Sequence, residues 1–327
     1  MERRLIRVQE QNPLQTSRTL LSSLWNQADL AGLLIPVWHA GEDAPRIELL
    51  SDPATIDTAD PFAPIMLANA AGLVAQYIEE GPKPIAVFLR PCELESLRAL
   101  ASEEVVDLSD LLLISSDCLA VFPQEYFNER TRQISDHDEI TLEMLRFAAQ
   151  GGILPSRYRL GCQLCKHPFP VDVDLSIELV GIPTQQSIVI SVSDRIDPDQ
   201  LQDPLILEEV PRSMDLRRQE TLQRLENWRG KSLWTTVASL TPDTKGVQHL
   251  MEHLQACSAC RLRIEELCPQ FNVDLTMSPE ERAQVAEQWL VSCGGCGMCE
   301  HRCPTNYPLF QVIAALRYEL AEGSVQQ

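Results

Sequence analysis

Apolar positions at helical spacing run from residue 16 to 31, and directly after them Leu33 to Trp38 form an apolar run that predicts a buried strand in spite of Pro36. The alternation continues along the chain. Pro61 to Glu80 predicts a helix introduced by prolines, Ile85 to Leu89 a strand, Glu93 to Ala101 a short helix and Leu111 to Ser115 a third strand. Leu175 to Val180 and Ser187 to Val192 are two further β segments. Strands separated by helices predict an α/β fold with a mainly parallel sheet.

Further on the pattern becomes helical throughout. Residues 214 to 229 predict a charged amphipathic helix, and the segment GKSLWTTVASLTPDTKG after it has the turn-rich composition of a linker. A boundary near residue 240 is expected, with an α/β domain over 1–240 and a small helical domain over 241–327. The second part holds predicted helices at 246 to 256, at 279 to 291 behind Ser278 and Pro279, and from Pro308 onward.

Composition narrows the function classes. At 327 residues with 44% hydrophobic content, the chain can bury a sizeable core, but it has no apolar stretch of the roughly 18 residues that a membrane span needs. The start, MERRLIRVQEQNP, is charged from its second residue and lacks the apolar centre of a secretory signal, so a cytoplasmic location is expected. A net charge of -20 repels nucleic-acid phosphates and anionic lipid, which leaves proteins and small molecules as partners. The eleven cysteines are an odd number and gather into C-x2-C units, which suits metal or redox chemistry better than a disulfide framework.

Cys293, Cys296, Cys299 and Cys303, followed by Pro304, form a complete C-x2-C-x2-C-x3-C-P run. Closely spaced thiolates of this kind hold the corners of a [4Fe-4S] cubane, and in two-cluster ferredoxins the cysteine before the proline serves the other cluster. Gly294, Gly295 and Gly297 let backbone amides approach cluster sulfurs. A closed zinc site, which also uses C-x2-C pairs, is the competing explanation. Upstream, Cys257, Cys260 and Cys268 with Pro269 read C-x2-C-x7-C-P and lack a third cysteine. Crossing the ligands groups Cys293, Cys296, Cys299 and Cys268 around one complete cluster and leaves Cys257, Cys260 and Cys303 for the other. That second site holds a three-iron cluster, takes a non-cysteine ligand such as Glu265, Glu266 or water, or is empty.

The other four cysteines are Cys92 in LRPCE, Cys118 in SSDC, and Cys162 with Cys165 in GCQLC. Cys92 and Cys118 follow predicted strands, at the carboxyl edge where open α/β sheets place ligands. The four form a third cluster site, or else two are buried thiols and the C-x2-C pair is a zinc or redox element. No G-x-G-x-x-G or P-loop pattern occurs. His167, His301 and His253 read as solvated or supporting residues rather than ligands, and paired carboxylates such as Glu79 with Glu80 and Glu103 with Glu104 read as solvated helix ends with no acid or base role.

The segments DPFAPIMLANAAGLVA, AVFLRPCELESLRAL, DLLLISSDC and GCQLCKHP, in that order, resemble the coenzyme F420 hydrogenase/dehydrogenase beta-subunit family. The ending CGGCGMCEHRCP is similar to the paired ferredoxin-type motif of its formate dehydrogenase branch. The resemblance implies FAD beside an iron-sulfur cluster, and makes Cys92, Cys118, Cys162 and Cys165 cluster ligands. It implies a flavin because a hydride brings two electrons and clusters accept one. Asn69, Arg90 and Pro91 are the candidate flavin contacts, Arg90 as a partner for phosphate or flavin oxygen. The expected function is an oxidoreductase subunit exchanging hydride with F420 or a nicotinamide carrier, or electrons with a ferredoxin. It would pass electrons to a formate dehydrogenase, hydrogenase or heterodisulfide reductase-type catalytic subunit. The alternatives are a flavin-free iron-sulfur adaptor between two enzymes and a zinc-stabilised interaction protein.

Overall fold

The apolar runs become strands because they are covered on both faces. A computed structural model describes residues 1–103, 106–152, 157–165, 168–201, 205–240, 246–300 and 303–325. Its strands are β1 (Glu2–Arg7), β2 (Gly32–Val37), β3 (Arg46–Leu50), β4 (Ile85–Leu89), β5 (Leu111–Ser116), β6 (Leu175–Glu178), β7 (Ser187–Val192) and β8 (Leu207–Glu208). They form one sheet in the order β3-β2-β4-β5-β6-β7-β1-β8. β2, β4, β5 and β6 pair in parallel at its centre, and the remaining pairings are antiparallel. Five of the eight strands therefore run one way, as a mainly parallel sheet requires. Pro36 is tolerated because pairing of β2 with β4 ends at Leu34, so no amide is needed there on that side.

The helices are α1 (Pro13–Gln27), α2 (Ala70–Glu80), α3 (Pro91–Ser102), α4 (Gln124–Thr131), α5 (Asp138–Arg146), α6 (Leu160–Leu164) and α7 (Arg212–Ser239), followed by α8 (Val247–Ala256), α9 (Ser258–Leu267), α10 (Pro279–Ser292) and α11 (Leu309–Val325). One face of the sheet, with Ile35, Phe88 and Ile114, packs against Leu20, Leu21 and Leu24 of α1 and Leu145 of α5. The other, with Leu34, Val87 and Leu89, packs against Val74 of α2 and Leu94 and Leu97 of α3. Burial from both sides explains why these strands read as continuous apolar runs. A separate apolar cluster forms within the last third around Leu250, Leu254, Ile264, Trp289 and Ile313.

Three expectations change. Residues 61–69 are not helical: the carbonyls of Ala63 and Ile65 accept from the Arg90 guanidinium at 2.7 Å each and that of Pro64 accepts from the Phe122 amide at 2.9 Å, so α2 starts only behind its cap Asn69. The segment read as a linker continues α7 to Ser239, because Leu233 is buried against Leu164, Phe310 and Ala314, while 241–245 lie outside the described residues. β1, β3 and β8 carry too many charges for an apolar pattern, yet each finds a sheet neighbour. No helix among the described residues is long and apolar enough to cross a membrane.

Candidate metal centres

The adjacent strands β4 and β5 deliver two thiols to one place. After Leu89 the chain enters α3 through Arg90 and Pro91, whose fixed φ suits a first helical position, so Cys92 lies in the first turn. Glu93, 1% exposed, accepts from the Arg90 amide at 2.9 Å and the Ala70 amide at 3.1 Å, which joins the starts of α2 and α3. Cys118 follows β5, held by its amide's 2.8 Å bond to the Pro168 carbonyl. Cys162 lies within α6 and Cys165 ends it. All four cysteines line one cavity, which Arg229 and Cys296 also reach. Burial raises the Cys92 and Cys118 thiols and pushes Cys162 up to about 12, with the positive charge of Arg90 opposing the rise at Cys118. Thiols in such a site ionise when a metal takes the charge.

A second set forms where α9 and α10 end. Cys268 follows α9, Cys293 follows α10, and the loop Gly294 to Met298 brings Cys296 and Cys299 round beside them. Burial, followed by the charge of Cys293, raises Cys268 to about 11 and Cys296 to about 12, and raises Cys299 as well, so the four thiols share one electrostatic environment. The Trp289 indole donates to the Cys268 sulfur at 3.4 Å and the Asn69 amide to the Cys296 sulfur at 3.6 Å.

The two sets abut. A side chain at Gly294 would overlap the carbonyl oxygen of Cys92, and a Cβ on Gly161 would lie 2.9 Å from the Cα of Gly297. Only glycines allow the loop of one set to lie on the helices of the other. Arg159 spans the seam, with its guanidinium 3.0 Å from the Met298 sulfur and donating to the Met66 carbonyl at 3.0 Å.

A third set lies deeper in the helical part. Cys257 and Cys260 flank the start of α9, Cys303 precedes α11, and His253 in the last turn of α8 joins them. Their four ligand atoms lie within 4.8 Å of one another. Cys260 and Cys303 sulfurs are 3.3 Å apart, and His253 Nε2 is 3.1 Å from Cys260 and 3.7 Å from Cys303. Burial would raise the Cys303 thiol, but hydrogen bonds from Thr305 and Cys260 bring it down to about 7.

Cys257, Cys260 and Cys303 are thus brought together, and Cys268 interacts by charge with Cys293, Cys296 and Cys299. The non-cysteine neighbour of the third set is His253, which the sequence reading set aside, while Glu265 and Glu266 are exposed on α9. A signal for it existed: His253, Cys257 and Cys260 are spaced i, i+4 and i+7, one face of a helix. His167 and His301 lie outside the described residues.

Converging thiolate sets, half-buried in the first two and buried in the third, suit iron-sulfur clusters in their donor chemistry. The candidate flavin contacts are differently placed. The Arg90 guanidinium is engaged by the Ala63 and Ile65 carbonyls and lies 3.6 Å from Glu93. Asn69 caps α2 through its oxygen and donates to Ser96 Oγ at 2.9 Å, while Pro91 is buried in the first turn of α3. Their polar groups already have protein partners, so this trio does not fit as a flavin's contact set.

No family model matches the chain, and no curated protein matches it. Solved structures do: a chain of the F420-reducing [NiFe] hydrogenase complex from Methanosarcina barkeri superposes with a TM-score of 0.54 at 14% identity, over 73% of this chain and 92% of that one. At this identity the likeness is one of fold.

Proposed function

We propose that this chain is an electron-transfer subunit of an oxidoreductase complex that carries two adjacent iron-sulfur centres. Cys92, Cys118, Cys162 and Cys165 would hold one [4Fe-4S] cluster, and Cys268, Cys293, Cys296 and Cys299 the other. The observation that carries this reading is the contact between the sets, with Cys296 reaching the cavity lined by the first four thiols. Such clusters supply one-electron redox chemistry when bound. The protein's part is to fix the thiolates, exclude water and set the charge around them. Arg90, Arg159 and Arg229 bring buried cations to sites that would otherwise collect negative charge. The Trp289 and Asn69 donors stabilise negative charge on the sulfurs they reach, which favours the reduced state. A catalytic subunit of formate dehydrogenase, hydrogenase or heterodisulfide reductase type would be the partner.

Anaerobic purification of the full chain tests the reading. It should contain about eight iron and eight sulfide in these two centres, and after reduction its electron paramagnetic resonance should show two spins broadened by mutual coupling. Iron below a single cluster's worth, or two spins with no interaction, would overturn it.

A second reading adds hydride exchange with F420 or NADH through FAD. It is favoured by the fold shared with a chain of a complex named for F420 reduction, and by a cavity among Arg46, Ile47, Met66 and Leu67 at the sheet edge. Flavin analysis and single-turnover reduction by reduced F420 and by NADH decide it. A cluster-loaded chain that holds no flavin and is reduced by neither donor leaves the relay alone.

A further inference from the structure

The third set of side chains is gathered more tightly than the other two. We propose that His253, Cys257, Cys260 and Cys303 hold a single zinc ion in a closed, tetrahedral, structural site. In a cubane each thiolate binds a different iron, so the ligands stand apart across the whole cluster. Ligands of one ion stand close together: Zn–S bonds of about 2.3 Å and a Zn–N bond of about 2.0–2.1 Å put tetrahedral neighbours roughly 3.5–3.8 Å apart. Of the observed separations, 3.7 Å falls within that spacing and 3.1 and 3.3 Å fall a few tenths of an ångström short of it, and all four atoms lie within 4.8 Å. Among the described residues, no other group of metal-capable side chains is gathered so closely.

The donor set agrees with the geometry. Three thiolates and one imidazole are a recurrent structural zinc combination, and soft sulfur ligands in a tetrahedron select this ion. The three sulfurs are buried, with Cys260 0% and Cys303 3% exposed, while His253 is half-buried, a degree of enclosure that suits a structural ion. His253 is held in orientation by stacking on Tyr307, with ring centroids 3.8 Å apart and planes 14° from parallel. Zinc has no redox chemistry. The site therefore takes no part in electron flow: it ties α8, α9 and the segment before α11 together where a paired ferredoxin motif would carry a second cluster.

The test uses the full chain, purified anaerobically from cells supplied with both metals. Expected are about one zinc per chain and a zinc absorption-edge fine structure fitted by three sulfurs at about 2.3 Å and one nitrogen at about 2.0–2.1 Å. His253→Ala should lower zinc retention under a chelator at least tenfold. His253→Cys should keep the ion with a four-sulfur shell, which separates loss of a ligand from loss of fold. A zinc-free chain with additional iron, with or without matching sulfide, would overturn the proposal, as would a zinc shell dominated by oxygen. The relay reading fails separately, by missing iron and sulfide in a chain that still holds its zinc.

Discussion

Arg90 shows how one side chain can serve the fold and the candidate chemistry at once. Its guanidinium satisfies the carbonyls of Ala63 and Ile65, and its charge lies near Cys118, Cys92 and Cys162. Arg90→Met should cost about 3–5 kcal/mol in urea unfolding, because Glu93 loses its buried counter-charge and two carbonyls lose their donor. Asn69 divides its amide between a helix cap and a sulfur. Asn69→Ser keeps a capping oxygen, so stability should fall by less than about 1 kcal/mol, while the reduction potential of the neighbouring centre falls as the sulfur loses its donor. Redox titration of the variant against the parent measures that separation. The cysteines were legible as residues because C-x2-C spacing is itself a ligand pattern. His253 was not, since a lone imidazole on a helix has many ordinary uses and only the turn into α9 brings it to the thiols.

Among the elements, α7 is tied to the sheet by charge more than by an apolar stripe. Arg218 pairs with Asp117 and, at 2.9 Å, with Glu178 of β6, and Arg3 of β1 reaches Glu178 and Asp215 of α7 at 2.7 Å each. Burial alone would raise the Glu178 carboxyl, but the Arg3 hydrogen bond and the Arg218 charge outweigh it and hold the group below its ordinary 4.5. Because the folded value is the lower one, this stabilisation is present above about pH 4.5 and is lost as pH falls through the folded value. Glu178→Gln should therefore cost about 2 kcal/mol at pH 7 and flatten the acid limb of a stability-against-pH curve. Equal slopes for variant and parent would argue against the network. The same charges explain why β1 was missed. ERRLIR has no clean alternation, because Arg3 points into a partly buried ion cluster rather than into solvent or core. The apolar strands β2, β4, β5 and β7, buried on both faces, needed no such partners and were readable directly.

For the whole molecule, a net charge of -20 favours encounter with a positively charged partner surface. If the relay docks on such a surface, its second-order electron-transfer rate should fall steeply as ionic strength rises from about 0.01 to 0.15 M, a range over which screening lengths shrink from ~30 to ~8 Å. Stopped-flow reduction of a candidate catalytic subunit measures this, and a rate indifferent to salt would mean that docking is apolar. Assembly order follows from a different feature, the placement of α9. This ten-residue helix, about 15 Å long, has Cys257 and Cys260 at its start and Cys268 at its end, and Cys299 lies four residues before Cys303. A zinc ion on the first pair and Cys303 would shorten the loop that must close around the neighbouring cluster and orient both of its tethers beforehand. Maturation would then run in sequence, zinc first and iron-sulfur insertion second, and chains made under zinc starvation would emerge poor in iron even when iron is plentiful.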